Sequence, residues 1–240
     1  MNKQRIDKII SNCGLGSRKE IKKYIKDGYV SVNGEIKRSP EFYADPQMDK
    51  ILFKDIPLKY KKYIYLMMNK PQGVITATED KREKTFMDLL PEFYHQFNLS
   101  AAGRLDKDTE GLLILTDDGQ GIHKLISPKR HVDKVYYARL ETDVKEEYFT
   151  QFEIGIDIGG YITMPAKLMV CNENSGKLGK EVYLTIQEGK FHQVKRMFEA
   201  LGNKVMFLKR ISIGRISLDP DLELGQIREL TEEEEEMLYE

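Results

Sequence analysis

Tryptophan is absent from these 240 residues, histidine occurs four times and cysteine twice. Cys13 and Cys171 are too few for the disulfide framework of a small secreted domain, and with so few histidines they supply no zinc ligand set. No run approaches the roughly 20 apolar residues that span a bilayer. Met1-Asn2-Lys3-Gln4-Arg5 leads into an amphipathic segment, so neither a secretory signal nor a membrane anchor is expected. A reducing cytoplasm fits these absences. Internal repeats of 20–50 residues are lacking as well, which excludes a solenoid. No Gly-x-Gly-x-x-Gly follows a strand, so a doubly wound nucleotide-binding sheet is not indicated.

What the chain has is charge, 32% of its residues, unevenly spread beneath a net of only -1. Residues 1–62 hold 15 Lys+Arg against 8 Asp+Glu, a net of +7, and the remainder is net -8. A basic front on a near-neutral body points to a polyanion, with nucleic acid as the leading partner over a merely solvated basic face. The acidic stretch Glu232–Glu236 behind Thr231 has a structural reading: Thr231 is an N-cap, and glutamates in a first helical turn favour the helix dipole.

Ile6, Ile9 and Ile10 recur at helical spacing, and Ser17-Arg18-Lys19-Glu20 is a capping box that predicts a second helix. Ile21, Tyr24 and Ile25 make its buried stripe, Gly28 ends it, and Arg18, Lys19, Lys22, Lys23 and Lys26 lie on its other side. Tyr29–Val32 and Glu35–Lys37 flank Asn33-Gly34, a type I′ hairpin signal. The pattern breaks over residues 56–62, read as a linker between a module at 1–58 and a body at 63–240.

In the body the spacing predicts strands at 63–68, 74–77, 111–116, 135–140, 168–171, 182–186, 205–208 and 213–218, with a turn at 69–73. Helices are predicted at 85–90, 144–152 and 192–201. Strands do not alternate strictly with helices, so the fold class is α+β, a mixed and mainly antiparallel sheet with flanking helices. Two polar clusters stand out. Gly103-Arg104-Leu105-Asp106-Lys107-Asp108-Thr109-Glu110-Gly111 precedes a buried strand and allows magnesium ligands, a glycosidase-like or nuclease-like carboxylate pair of Asp106 and Asp108, or ordinary turn groups. Gly189-Lys190-Phe191-His192-Gln193-Val194-Lys195-Arg196 opens a helix whose polar side carries His192, Lys195, Arg196 and Glu199.

Residues 3–50 resemble the S4 RNA-binding domain, on Arg5-Ile6-Asp7, the Ser17-Arg18-Lys19 helix start and Gly28-x-Val30-x-Val32-Asn33-Gly34. That resemblance implies RNA contacts from Arg5, Arg18, Lys19, Lys22 and Lys23, with salt-dependent affinity and little sequence discrimination. The body is similar to the pseudouridine synthases. Gly103-Arg104-Leu105-Asp106-x-x-Thr109-x-Gly111-Leu112-Leu113 matches their central motif. Asn69-Lys70-Pro71-x-Gly73, Lys134-x-Tyr136 and Gly189-Lys190-x-His192-Gln193-Val194-Lys195-Arg196-Met197-Phe198 accompany it in order.

This resemblance implies a cofactor-free isomerisation of a flipped-out uridine, in which the C1′–N1 bond breaks, the uracil turns and C5 joins C1′. Asp106 is then the catalytic carboxylate, by attack at C1′ or C6 or by removal of a C2′ proton. Lys195 is the cation that orients it and lowers its pKa, and Tyr136 stacks on the uracil. Arg104 fills the vacated base stack, Lys70 and Pro71 shape the pocket floor, and His192, Gln193 and Arg196 join the RNA contacts. The wording His-Gln-Val-Lys-Arg-Met-Phe resembles the RsuA-type branch, whose substrate is small-subunit (16S) ribosomal RNA, naked or in an assembly intermediate. A large-subunit enzyme of the same family and an inactive S4-containing RNA-binding protein are the alternatives. Nothing in the sequence demands more than a monomer.

Overall fold

The computed structural model describes residues 3–58, 60–127, 130–171, 173–174 and 177–238. It divides into two compact units, Met1–Tyr63 and Ile64–Glu240. Lys59 of the expected linker lies outside the described residues.

The first unit comprises β1 (Gln4–Arg5), α1 (Ile6–Asn12), α2 (Arg18–Lys26), β2 (Val30–Val32), β3 (Glu35–Ile36), β4 (Tyr43–Ala44), β5 (Ile51–Phe53) and β6 (Ile56–Pro57). The capping box forms in full: the Ser17 hydroxyl accepts from the Glu20 amide, and the Glu20 carboxylate accepts from the Ser17 amide at 2.9 Å. Such a cap is worth about 1 kcal/mol. Asn33 (φ 53°) and Gly34 (φ 86°) are both left-handed, as a type I′ turn between β2 and β3 requires. Ile6, Ile9 and Ile10 of α1 and Ile21 and Ile25 of α2 are fully buried against Val30, Val32 and Phe53. The linker expectation needs one correction. Ile56–Pro57 pairs with β5, because the chain turns back through left-handed Lys54 and Asp55 and closes the small sheet.

The second unit is built on a mixed sheet. Its strands are β7 (Tyr65–Lys70), β8 (Ser100–Ala101), β9 (Glu110–Thr116), β10 (Lys134–Leu140), β11 (Lys167–Val170), β14 (Glu181–Ile186), β15 (Val205–Ile213), β16 (Ile216–Ser217) and β17 (Ile227–Glu229). A separate short ribbon pairs β12 (Glu173–Asn174) with β13 (Lys177–Leu178). The order across the main sheet is β11-β14-β10-β15-β9-β7-β17, with β8 beside β9 and β16 beside β15. All pairs are antiparallel except β15 with β9. The helices are α3 (Gly119–Ile126), α4 (Glu146–Ile154), α5 (Gln193–Ala200) and α6 (Glu232–Met237). This is the α+β architecture expected.

Buried residues alternate along β10 and β14, and Ala138, Val182 and Leu184 meet Val194, Met197 and Phe198 of α5 in one core. Phe198 in turn packs its ring 5.1 Å from that of Phe152 on α4.

Three local expectations are corrected, and one helix is added. Residues 74–77 form no strand, only a single bridge from Ile75 to Thr85, because the backbone there bonds to the loop at Lys84 and Phe86. Residues 85–90 hold a single 3₁₀ turn at Met87–Leu89. The expected strand at 205–208 runs on to Ile213 as β15, since β10 pairs along its length, and the one expected at 213–218 is the return of a hairpin, in which β16 pairs back onto the end of β15. Residues after Asp118 continue as α3, for which the Asp118 side chain is the N-cap. At the other end of the chain, Thr231 and Glu234 make a second capping box, and the Arg228 guanidinium grips Glu234 at 2.7 and 2.8 Å. The glutamate run is therefore helix-terminal, as its structural reading holds.

Candidate active site

The loop from Gly103 to Thr109 enters β9 and is pinned from several directions. Thr76 Oγ1 donates to the Leu105 carbonyl at 2.8 Å and accepts from the Leu105 amide at 3.1 Å. The Gly73 amide bonds to the Lys107 carbonyl at 2.8 Å, and the Thr109 amide turns back to the Asp106 carbonyl at 3.1 Å. From behind, Lys70 Nζ donates to the Thr109 carbonyl at 2.9 Å and Arg210 Nη2 to the Gly103 carbonyl at 3.1 Å. Leu105 is buried between these anchors while Arg104 and Asp106 on either side reach solvent. Asp106 is thus fixed to a rigid frame with a half-open carboxylate, the condition for a preorganised reactive group.

The second polar cluster arrives from α5. His192 ends the preceding loop in a left-handed conformation (φ 50°), which starts the helix with Lys195 facing the Asp106 loop. Lys195 Nζ donates to Asp106 Oδ2 at 3.0 Å and to Asp108 Oδ1 at 2.6 Å. His192 Nε2 stands 3.6 Å from the other oxygen of Asp106. Burial works against the Lys195 charge, but its bonds to Asp108 and Asp106 outweigh it and hold the ammonium above its ordinary value. Partial burial pushes the Asp108 carboxyl up, yet the Lys195 bond and charge win and hold it below the usual carboxylate range.

These groups line a cleft of about 1200 Å³. Arg104, Asp106, Tyr136, Lys190 and His192 form its wall together with Lys134 and Arg210, and a smaller recess of about 70 Å³ opens among Asp106, Tyr136, Leu208 and Lys195. Tyr136 is buried, with its ring turned to the same recess as the carboxylate. Among the described residues no group of three or more His, Cys, Asp or Glu has the arrangement of a metal site.

Asp106, Tyr136, Lys195, Arg104 and His192 therefore come together, while other expected site residues stand elsewhere. Lys70 is fully buried on β7 and Pro71 follows it. Gln72 and Gly73 form the cleft wall there, so Lys70 supports the loop from behind, and neither it nor Pro71 is part of the cleft floor. Burial depresses the Lys70 pKa to about 8, against the pull of Asp106, Asp108 and Glu110. Gln193 is buried too: it donates to Glu188 at 2.8 Å and accepts from the Lys190 amide at 2.9 Å, so its hydrogen bonds are internal ones. Arg196 donates to the carbonyls of Ile158 and Phe191, bracing the turn at Gly159. In the first unit, Arg5 forks onto buried Asp7 at 2.9 and 3.1 Å, whereas Arg18, Lys19, Lys22 and Lys23 are solvent-exposed on α2.

Sequence reasoning missed Thr76, Arg210 and Phe191. Phe191 is 75% exposed at the cleft and stacks on His192 with centroids 3.7 Å apart. Arg210 carried one signal, a charged residue on the buried phase of the alternating run Leu208, Arg210, Ser212.

Comparison with known proteins agrees with this geometry. Residues 64–200 match the family described as RNA pseudouridylate synthase, and residues 4–49 match the S4 domain. A Bacillus subtilis (strain 168) protein named uncharacterized RNA pseudouridine synthase YtzG is 49% identical over 98% of this chain and 98% of its own length. The ribosomal small subunit pseudouridine synthase A of Vibrio cholerae is 43% identical, over 96% of this chain and 97% of its own. A crystal structure of a pseudouridylate synthase superposes with a TM-score of 0.68 at 40% identity, covering 98% of this chain and 99% of that one. With its central motif on a pinned loop beside a lysine-bearing helix, and full-length relatives of one activity, the chain belongs to the RNA pseudouridylate synthase family, enzymes that isomerise uridine in RNA.

Proposed function

We propose that this enzyme converts a specific uridine of small-subunit (16S) ribosomal RNA to pseudouridine, with Asp106 as the catalytic carboxylate. The observation that carries the reading is the 3.0 Å bond between Lys195 and Asp106 at the edge of a recess that Tyr136 also lines. An adjacent ammonium gives the carboxylate a fixed counter-charge and holds its orientation, which a nucleophile or base requires. The target base leaves its stack and enters the cleft, at a cost of a few kcal/mol. Arg104, exposed at the rim, fills the gap in the stack with its guanidinium plane. The uracil rests on the Tyr136 ring. Asp106 meets the sugar–base linkage, the C1′–N1 bond breaks, the base turns in place and C5 bonds to C1′. The C5 proton then leaves, N1 takes up a proton in its place, and the Tyr136 hydroxyl takes part in this transfer.

In this reading the module of residues 1–58 supplies phosphate contacts through Arg18, Lys19, Lys22 and Lys23, and residues 63–240 carry the chemistry. Arg5, His192 and Arg196 orient the RNA-facing surfaces through their own ion pair and carbonyl bonds, and Gln193 positions the loop under His192. Two features of one relative support the ribosomal substrate: the name of the Vibrio protein, ribosomal small subunit pseudouridine synthase A, and its match along nearly the full chain.

The test is a map of pseudouridines in total RNA from cells with and without the protein. One site in small-subunit RNA is expected to disappear, and a loss confined to large-subunit RNA would overturn the substrate assignment. In vitro, Asp106→Asn is expected to abolish modification, read by carbodiimide-stopped primer extension, while RNA affinity stays near that of the wild type.

A further inference from the structure

Lys134 and Arg210 are not used by the reaction above, yet their placement is costly. Tyr136 pairs with Arg210 across β10 and β15, and Lys134 lies two residues before Tyr136 on the same buried phase of β10. All three side chains therefore stand on one face of the sheet and line one cleft. Arg210 is 1% exposed and Lys134 7%. Neither makes an ion pair within 4.0 Å among the described residues. Lys134 Nζ reaches only the Val132 carbonyl, at 2.9 Å. Arg210 Nε donates to the Leu112 carbonyl at 2.8 Å and Nη2 to Gly103, while Nη1 has no hydrogen-bond partner among the described residues.

Buried cations are ordinarily paired, because desolvation costs several kcal/mol per ion. These two also oppose each other. Burial first, and then the Arg210 charge, push the Lys134 ammonium below its ordinary value, against the weaker pull of Asp133 and Glu188. Glu188 is already held by Tyr161, Gln193 and the Met164 amide. Within the one cleft, Asp106 and Asp108 share Lys195, while Lys134 and Arg210 have no carboxylate within 4.0 Å among the described residues.

We propose that Lys134 and Arg210 form a phosphate subsite in the cleft that takes a backbone phosphodiester flanking the target uridine. The inference rests on the reading of this cleft as the nucleotide site. An arginine fork and a lysine point charge are the two side chains that hold phosphate best. The Asp106 and Asp108 carboxylates repel the same group, which favours the uncharged sugar–base linkage over the phosphate beside Asp106. At about 1200 Å³, the cleft has room for backbone as well as base.

The probe is the trinucleotide UpUpU, single-stranded so that no base has to be unstacked. It is compared with versions in which the 5′ or the 3′ linkage is a neutral methylphosphonate. Binding is read by NMR titration of the intact protein, following the Gly103 and Leu105 amides. For the wild type, neutralising one of the two linkages is expected to weaken binding roughly fivefold, the scale of one charged hydrogen-bonded contact. In Lys134→Met, which keeps the stem and removes the charge, the native trimer should bind as weakly as the neutralised one, with no further loss when both changes are combined. Lys134→Gln replaces it if the methionine variant does not fold. Independent losses from protein and probe changes, equal binding of all three trimers, or no binding of UpUpU each overturn the subsite. A slowed chemical step in Lys134→Met without any linkage dependence also overturns it, since the charge would then act on the uracil. Pseudouridine mapping tests the functional reading without this probe, so either can fail alone.

Discussion

At the scale of single residues, the site is governed by how few carboxylates serve how many cations. Asp108 competes with Asp106 for Lys195 but is itself largely exposed, with 69% of its side chain in solvent. Removing its charge leaves Lys195 with Asp106 as its sole carboxylate, so Asp108→Asn is expected to keep turnover within about fivefold of wild type, the range of an exposed pair. A collapse of kcat comparable to that of Asp106→Asn would instead mark a paired-carboxylate mechanism. Lys70 makes the opposite case, a cation whose burial is the dominant fact. Its folded pKa of about 8 lies below the ordinary 10.5. Below about pH 8 both folded and unfolded states hold the proton and the burial penalty is fully present. Between the two values the unfolded chain holds the proton and the folded one has lost it, so stability rises with pH. The gain is about 3 kcal/mol by the top of that window. Lys70→Met should lack this rise, so urea unfolding across the window should show wild type gaining on the variant. Parallel curves would mean that Lys70 is neutral or charged alike in both states.

At the scale of elements, the site depends on the parallel contact between β9 and β15. Gly111 sits at that contact with φ 104°, and a Cβ there would meet the Arg210 carbonyl oxygen at 2.2 Å and its amide nitrogen at 2.8 Å. Both atoms are backbone, so neither can swing away. Gly111→Ala is expected to cost at least about 2 kcal/mol, from the left-handed strain plus displacement of β15. The thermal midpoint should then fall by roughly 5 °C or more. An unchanged midpoint would show that the strands can part without consequence. This contact was not legible in the sequence, although much around it was. Ser17 with Glu20 and Asn33 with Gly34 announce a helix start and a turn through local chemistry alone, and the structure contains both. The order of the four motifs likewise announced which residues gather near Asp106. Parallel pairing of β9 with β15 joins segments far apart in the chain and leaves no local trace beyond the glycine. The burial of Gln193, which the resemblance gave as an RNA contact, was not legible either, because it depends on Glu188, on a neighbouring loop, lying against it. Residues 74–77 had the composition of a strand, but Thr76 spends its hydroxyl on Leu105 and the backbone follows the loop.

For the molecule as a whole, two kinds of electrostatics divide the labour of holding RNA. At the catalytic cleft, cations such as Lys134 and Arg210 are buried and directional. In the N-terminal unit they are solvated and arrayed along α2, where Ile21 and Ile25 bury one side and Arg18, Lys19, Lys22 and Lys23 remain in water. Solvated cations of this kind bind a polyanion by releasing its condensed counter-ions, which makes affinity steeply salt-dependent and indifferent to sequence. Replacing the four by alanine removes no buried contact and leaves the Ser17–Glu20 cap in place, so the helix should persist. The slope of log affinity against log salt concentration should then fall by about 3, at roughly 0.7 per phosphate contact on single-stranded RNA. The chemical step on saturating RNA should not change, because none of the four lines the cleft. The measurement is RNA binding at several salt concentrations, paired with single-turnover kinetics at saturation. A slope that stays put while affinity falls would mean that the helix is read by shape and not by charge. A slowed step at saturation would mean that α2 also orients the RNA for the Asp106 chemistry.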